Sequence, residues 1–220
     1  MSRPEIIASD ATPRPAWQMY RAMVGTGIFC ALLIVAVFLY TLPVIERNRA
    51  AALEKAVLEV LPGATRFRRY DLEQPVYAAF DAGGELAGIA LEAQRMGYQD
   101  TIRILYGYDP ARQAVVGMQV LESRETPGLG DKIEKDPVFV DNFTALDVRL
   151  AADGTQLANP IVLVKPGQKT RPWQIDAISG ATISSQAIAD MLRDSTVRWV
   201  PLLWGMRSEF SADEEAGDER

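Results

Sequence analysis

The chain has 220 residues and a formal net charge of −6, and this acidic balance argues against a surface that binds nucleic acid. It contains no histidine, which excludes Ser-His catalysis, His-ligated zinc and haem attached at a Cys-x-x-Cys-His motif. Its single cysteine, Cys30, cannot form a disulfide within the chain or hold an iron–sulfur cluster by itself, so any redox chemistry requires an organic cofactor.

The N-terminal region contains one long uncharged segment. Residues 1–21 are polar and contain three prolines, and we predict that they form a short leader. Residues 22–45 carry no charge, and as a helix these 24 residues would extend about 36 Å, which exceeds the hydrocarbon core of a bilayer at about 30 Å. No small-residue cleavage pattern follows, so a transmembrane helix is predicted rather than a signal peptide. Three basic residues lie near each end, and charge therefore does not predict the orientation.

The next segment is predicted to be a linker, residues 46–75, that continues the helix off the membrane span. Residues 49–61 are rich in Ala, Leu, Glu and Lys, which favour a helix, and Pro62-Gly63 is a typical stop signal. We therefore expect a helix here and the folded domain after it.

A domain of residues 76–198 is predicted to contain an antiparallel meander. Its β-prone runs, which are separated by turn signals, are residues 76–80, 85–92, 101–108 and 115–122. In the third run apolar and polar side chains alternate, which predicts a half-buried strand. We also predict a short helix at residues 138–143 and a strand at residues 161–165.

Two loops could bear on function. The first, Glu125-Thr126-Pro127-Gly128-Leu129-Gly130, contains a turn-forming Pro-Gly pair, and by composition alone it is a plain loop. The second, residues 165–173, is basic. It is a solvated loop, or it supplies positive charge near a bound phosphate through Lys169 and Arg171, or it forms a docking face for a partner.

Residues 176–194 are predicted to form a helix preceded by a start signal. An apolar stripe is formed by Ile183, Ala187, Ile188, Met191 and Leu192. Ser179, Thr182 and Ser184 can each offer an oxygen to the free N–H groups of the first turn, and Gly180-Ala181 leaves room for a close approach. Such a helix start suits a phosphate, although an ordinary capped helix explains the same residues.

The C-terminal segment, residues 199–220, combines an apolar patch with an acidic tail. The patch, residues 199–204, could pack on the domain, on a partner or on the membrane surface. The tail from Glu209 to Arg220 has six acidic residues against one arginine, and we predict that it is disordered.

Two of these motifs resemble the signatures of the FMN-binding domain family. Ser179-Gly180-Ala181-Thr182, with Asp176 three residues ahead, resembles its flavinylation motif, and the loop at residues 125–130 resembles its second signature. The motifs stand in the family's order, and the resemblance extends from the apolar helix through Leu192. It is greatest to the G subunit of the Rnf electron-transport complex. The chain departs from the family in having Ser123 where histidine is frequent and no double glycine at residues 97–100.

The resemblance implies a fold, a cofactor and a location. The fold would be α+β, with one N-terminal transmembrane helix and an antiparallel-sheet FMN-binding domain with flanking helices. FMN would be covalently bound, its phosphate esterified to the hydroxyl of Thr182. The other cofactor-binding residues would be Asp176, Ser179, Gly180, Ala181, Glu125, Thr126, Pro127, Gly128, Leu129 and Gly130. The chain would be a single-pass protein of the bacterial inner membrane with a cytoplasmic N-terminus and the FMN domain in the periplasm.

The resemblance also implies an electron carrier without its own substrate pocket. Its partners would be the membrane and peripheral subunits of a complex that exchanges electrons between ferredoxin and NAD and moves H⁺ or Na⁺. A separate flavin transferase would attach the cofactor, with Asp176 either recognised by that enzyme or ordering a turn. Two alternatives remain open: the C subunit of a Na⁺-translocating NADH:quinone oxidoreductase, and a membrane-anchored assembly subunit without flavin.

Overall fold

The computed structural model describes residues 16–210 of the chain. The chain divides into two compact units, residues 1–50 and 51–220. Most of the predicted leader and of the predicted acidic tail, at residues 1–15 and 211–220, lies outside the described residues.

The first helix, α1, runs from Ala16 to Val60. It contains the predicted span at residues 22–45, begins before the predicted boundary at residue 22, and continues without a break into the helix predicted at residues 49–61. Within residues 16–210 it is the one helix long and apolar enough to cross a membrane, and the rest of the described chain does not bury its most apolar part. The structure therefore contains the helix that the uncharged run predicts.

A six-stranded antiparallel meander follows, with its strands side by side in chain order. The strands are β1 (Arg66–Asp71), β2 (Pro75–Phe80), β3 (Leu86–Met96), β4 (Thr101–Asp109), β5 (Ala114–Glu122) and β6 (Leu146–Asp147). The four predicted strands are confirmed as β2 to β5. The sheet starts ahead of the predicted domain boundary, because β1 lies in the segment predicted to be a linker. Its sequence, with three arginines in six residues, lacks the apolar alternation of a strand and suits an edge position.

The remaining elements flank this sheet. They are α2 (Lys132–Lys135), α3 (Pro137–Asp141), β7 (Val162–Val164), β8 (Gln174–Asp176) and α4 (Thr182–Met206). The predicted short helix and the predicted fifth strand are confirmed as α3 and β7. The two strands β7 and β8 pair in parallel, with Val164 opposite Asp176. An α+β fold with an antiparallel main sheet is thus confirmed.

Each face of the main sheet carries its own hydrophobic core. Ile104 and Tyr106 of β4 belong to the larger core with α4, whereas Leu105 belongs to the smaller core with the end of α1. The prediction of a half-buried strand is therefore wrong for β4, because helices cover both of its faces. The apolar alternation at residues 101–108 predicts the face of β4 that packs on α4, but not the burial of the other face by the end of α1.

The end of α1 lies very close to the sheet. A Cβ atom on Gly117 would lie 2.5 Å from the carbonyl oxygen of Val60 and 2.7 Å from its Cα. A Cβ on Gly107 would lie 2.7 Å from the Leu61 side chain and also clash with the Val60 carbonyl. Glycine at these positions lets the backbone of the helix end approach the strands without a side chain between them.

Helix α4 extends well past the predicted apolar stripe and includes the apolar patch. Trp199, Val200 and Leu203 are buried in the larger core, so the patch packs on the domain. Leu202 of the same patch is 48% exposed. The choice between domain, partner and membrane that the sequence left open is thereby resolved for the three buried residues.

The packing of Leu61 generates a stability prediction. Leu61→Ala should lower the free energy of unfolding by about 3 kcal/mol, because the fully buried side chain leaves a cavity against the sheet. Leu202→Ala makes the same chemical change at an exposed site and should cost well under about 1 kcal/mol. Denaturant unfolding of the full chain in detergent measures both. Equal losses in the two variants would contradict the packing of the α1 end on the sheet.

Candidate functional site

A cleft of about 380 Å³ lies where three segments meet: the start of α4, the loop after β5 and the β3–β4 turn. Of the predicted cofactor-binding residues, those that line it are Glu125, Thr126, Leu129, Gly130, Gly180, Ala181 and Thr182. Pro127, Gly128, Ser179 and Asp176 are not among the lining residues. The fold thus brings the two sequence motifs together, although they are far apart along the chain.

The start of α4 is not capped as the sequence predicts. Its N-cap residue is Ala181, and no side chain accepts a cap hydrogen bond there within the described residues. Ser184 instead donates its hydroxyl to Glu125, at 2.5 Å. The first-turn N–H groups consequently have no side-chain acceptor, and together with the helix dipole they favour an anion.

The apolar stripe of α4 also differs from the prediction at its first residue. Ala187, Ile188, Met191 and Leu192 are buried as predicted, but Ile183 is 55% exposed and lines the cleft. Thr182, the first residue of the helix, is likewise exposed. Both side chains therefore face a ligand-sized space rather than the core.

The loop after β5 is a tight turn. The N–H groups of Leu129 and Gly130 donate to the carbonyl of Thr126, at 3.1 and 3.0 Å. Gly128 has a φ of +79°, which glycine adopts without strain, and Pro127 suits the position before it. Pro127 and Gly128 therefore shape the loop, whereas Leu129 and Gly130 present it to the cleft.

Glu125 joins the three segments around the cleft. Its side chain is 6% exposed, and its carboxylate accepts hydrogen bonds from the N–H of Gln99 at 2.9 Å and from Ser184 Oγ at 2.5 Å. The glycines beside it leave just enough room: a Cβ on Gly97 would lie 2.6 Å from Glu125 Oε1, and one on Gly130 would lie 2.6 Å from Glu125 Cβ. The position of this acid therefore depends on two glycines as well as on two donors.

Sequence reasoning missed three lining residues: Tyr98, Ile183 and Ser184. Tyr98 lies in the β3–β4 turn, where the chain lacks the family's double glycine. Its side chain is 69% exposed, and the neighbouring Gln99 accepts a hydrogen bond from Thr126 Oγ1 at 2.9 Å. The turn is thus attached to the same loop that forms the opposite wall. The departure from the family pattern was the available signal for this residue.

Asp176 lies outside the cleft and orders a neighbouring turn. Its carboxylate accepts hydrogen bonds from the N–H groups of Gln168 and Lys169, at 3.0 and 3.1 Å, and its own N–H donates to Asn142. It lines a second groove, of about 320 Å³, together with Ser179. Of the two roles considered for Asp176, the contacts favour the ordering of a turn.

The basic segment at residues 165–173 is held by local contacts. The Lys169 ammonium donates to Asn142 Oδ1 at 3.1 Å, and the Arg171 guanidinium lies 5.8 Å from the ring centre of Trp173. Neither residue lines the cleft at the start of α4. The segment is therefore a structured surface loop in the described chain, and it places no cation in the cleft.

Comparison with known proteins identifies this arrangement. Residues 97–196 match the FMN-binding domain family, and this range contains both motifs and all lining residues. The fold is similar to that of NqrC from Shewanella oneidensis, with a TM-score of 0.51 and 21% identity over 62% of this chain and 61% of that one. The chain thus falls in the class of flavoproteins in which an FMN-binding domain follows one apolar helix in sequence.

Relatives that match over most of the chain show its family. The G subunit of the ion-translocating oxidoreductase complex of Methanosarcina acetivorans is 33% identical over 182 residues, which are 79% of this chain and 88% of that protein. The G subunit of the proton-translocating ferredoxin:NAD⁺ oxidoreductase complex of Clostridium ljungdahlii is 23% identical over 86% of this chain and 94% of that protein. The chain belongs to the family of G subunits of ion-translocating oxidoreductase (Rnf) complexes. These relatives are subunits of multi-subunit complexes, and residues 16–210 of this chain contain one candidate membrane helix.

The residues at the cleft fit FMN. The uncapped start of α4 suits the phosphate, since its free N–H groups and its dipole favour negative charge. Tyr98 and Leu129, which are 69% and 51% exposed, offer aromatic and apolar surface of the kind that a flat ring system covers. The volume of about 380 Å³ falls within the range of cofactor clefts.

The contacts of Gly130 generate a prediction for the cleft. Gly130→Ala should lower the free energy of unfolding by about 2 kcal/mol and reduce the FMN content, because the added Cβ overlaps the buried Glu125 side chain. Gly83→Ala is the control, since its Cβ would contact the Asp81 side chain alone, with Oδ1 at 3.3 Å, in an exposed turn. Denaturant unfolding and flavin absorbance per polypeptide check both variants. A Gly130→Ala protein with unchanged stability and flavin content would refute the described position of Glu125.

Proposed function

We propose that this chain carries electrons within an Rnf-type complex on FMN joined to Thr182 through a phosphoester. The observation that carries the proposal is the exposed hydroxyl-bearing residue at the first position of α4, inside a cleft that suits a flavin. The names of the two relatives support the complex, because each is the G subunit of an ion-translocating oxidoreductase. Any redox chemistry must reside on such a cofactor, because the chain has no histidine and a single cysteine.

Thr182 is the best acceptor among the hydroxyl groups near the helix start. Ser184 and Ser185 are 2% and 0% exposed, and the hydroxyl of each is engaged in a hydrogen bond. Ser179 is exposed but does not line the cleft. The Thr182 side chain makes no hydrogen bond within residues 16–210, so its oxygen is available for a bond to phosphorus.

Attachment would be a group transfer without any change in the oxidation state of the flavin. The bond between Thr182 Oγ1 and the flavin phosphorus forms as the hydroxyl proton leaves. A flavin dinucleotide donor would lose its nucleoside monophosphate, which takes the electron pair of the broken P–O bond. The described residues that line the cleft include no histidine or lysine, and both oxygens of its carboxylate, Glu125, already accept hydrogen bonds from Gln99 and Ser184 rather than from Thr182. A separate flavin transferase is therefore part of the proposal.

A tethered cofactor suits a carrier rather than a substrate-converting enzyme. When bound, FMN supplies the electron-accepting ring, and the chain's own residues retain it, orient it and set its surroundings. The ester would retain the cofactor, leaving orientation to the cleft walls at Tyr98, Leu129 and Glu125. No charged residue lies in residues 22–45, so the ion route would belong to other subunits.

We place the chain in a bacterial inner membrane with the FMN domain on the periplasmic side. Three basic residues flank each end of the span, so charge does not predict which side the domain is on. The periplasmic side is inferred from the family resemblance. The resemblance likewise supports electron exchange between ferredoxin and NAD as the reaction of the whole complex, as the name of the Clostridium ljungdahlii relative states for that protein.

Flavin attachment is tested on denatured protein. The full chain, made in a host that exports the domain and supplies an active transferase, should give a fluorescent band on an SDS gel. Thr182→Ala should abolish this fluorescence, because the acceptor oxygen is gone. Thr155→Ala, which removes a hydroxyl in an exposed turn, should retain it. A dark wild-type band beside a flavinylated control protein would rule out covalent attachment.

The part played by Asp176 in attachment is tested separately. Asp176→Asn keeps an oxygen that can accept from Gln168 and Lys169, so the thermal unfolding temperature should change little. Flavin attachment should also stay complete, because the contacts favour a role in ordering the turn, and a large fall in attachment would contradict this by indicating that the transferase recognises the carboxylate charge. Asp81→Asn is a matched control, because Asp81 also accepts from two turn N–H groups. Full flavin attachment in Asp176→Asn would show that recognition of the carboxylate by the transferase is wrong.

A further inference from the structure

Glu125 is a buried acid without a cationic partner in the described part of the chain. Other acids around it are paired: Asp100 with Arg124 at 3.5 Å and Glu122 with Arg103 at 3.5 Å. Within residues 16–210 no lysine or arginine forms a salt bridge with Glu125. Burying a carboxylate costs free energy, and Glu125 is only 6% exposed. Its place in the lining of the cleft therefore suggests a function beyond packing.

Two hydrogen-bond donors hold the carboxylate in one position. The Gln99 N–H and the Ser184 hydroxyl each donate to a different oxygen, at 2.9 and 2.5 Å. Hydrogen bonds to a charged acceptor are stronger than hydrogen bonds between neutral groups. Gly97 and Gly130 pack directly against the Glu125 side chain, so the carboxylate has a single position.

We propose that Glu125 sets the reduction potential of the flavin by holding a negative charge in the wall of the cleft. This inference rests on the proposed function, since it requires FMN in the cleft. Adding electrons to a ring beside a fixed negative charge is disfavoured, and the effect is larger in a partly buried site than in water. The potential is therefore lower than it would be with a neutral side chain at this position.

The start of α4 acts in the opposite sense but is the weaker influence on the ring. A helix terminus corresponds to about half a positive charge, whereas an ionised carboxylate carries a full negative one. In the proposed arrangement the phosphate at Thr182 also lies at the helix start and offsets its field. The net effect of the protein charges at the ring is thus set mainly by Glu125.

The test is a spectroelectrochemical titration of the flavin-loaded full chain. Glu125→Gln is nearly isosteric, and its amide oxygen can still accept from Gln99, so it mainly removes the charge. It should shift the equilibrium towards reduced flavin by tenfold or more, which is a rise of about 30 mV for a two-electron couple. Asp100→Asn removes one charge from an ion-paired, 42% exposed side chain of the adjoining turn and should change the equilibrium less than twofold.

A second variant changes the potential in the opposite direction. Ser184→Ala keeps the carboxylate but removes a donor that partly neutralises it, so the potential should fall below that of the wild type. This measurement also decides the matter if Glu125→Gln does not fold. An unchanged potential in Glu125→Gln, or an unchanged or raised one in Ser184→Ala, would overturn the role of Glu125. A wild-type chain that binds no flavin would instead overturn the proposed function.

Discussion

The buried carboxylate of Glu125 is the interaction on which the cleft depends. It accepts one hydrogen bond from the β3–β4 turn and one from the first turn of α4, while its own backbone belongs to the loop after β5. Each segment alone is a short connection with little to hold it. An acid that is 6% exposed must be satisfied, because an unpaired buried carboxylate is strongly unfavourable. The hydrogen bonds that offset the cost of burying this carboxylate therefore connect the three segments.

The sheet supplies the rigid platform for this contact. Because β3, β4 and β5 are antiparallel neighbours, the end of β3, the start of β4 and the end of β5 lie at the same end of the sheet. The pairs Met96–Thr101 and Arg103–Glu122 show this. Packing on both faces supports the sheet: α4 covers one face, and the end of α1 lies against Gly107 and Gly117 on the other. The helix that covers the larger core also begins at the cleft, so packing and the cofactor site share one element.

Sequence patterns predicted the elements that follow a single physical rule. The uncharged run, the four central strands and the apolar stripe of α4 each follow one periodicity or length requirement. Strand β1 was not predicted because this arginine-rich edge strand has no apolar alternation. The second buried face of β4 was not predicted because a helix distant in sequence covers it. Ser184 is a plausible cap by position, but the distant Glu125 competes successfully for its hydroxyl. Long-range contacts of this kind leave no local signal.

The proposed arrangement separates holding the cofactor from tuning it. An ester at Thr182 would depend on a hydroxyl at a helix start and would leave the ring chemically unchanged. Tuning would then fall to side chains that contact the ring or act on it through space, and these are free to differ between relatives. This chain has Gly97-Tyr98-Gln99-Asp100 at the turn near which the family often has a double glycine, and the backbone N–H of Gln99 donates to Glu125. A departure from the family's sequence therefore lies in the same wall of the cleft as the buried Glu125.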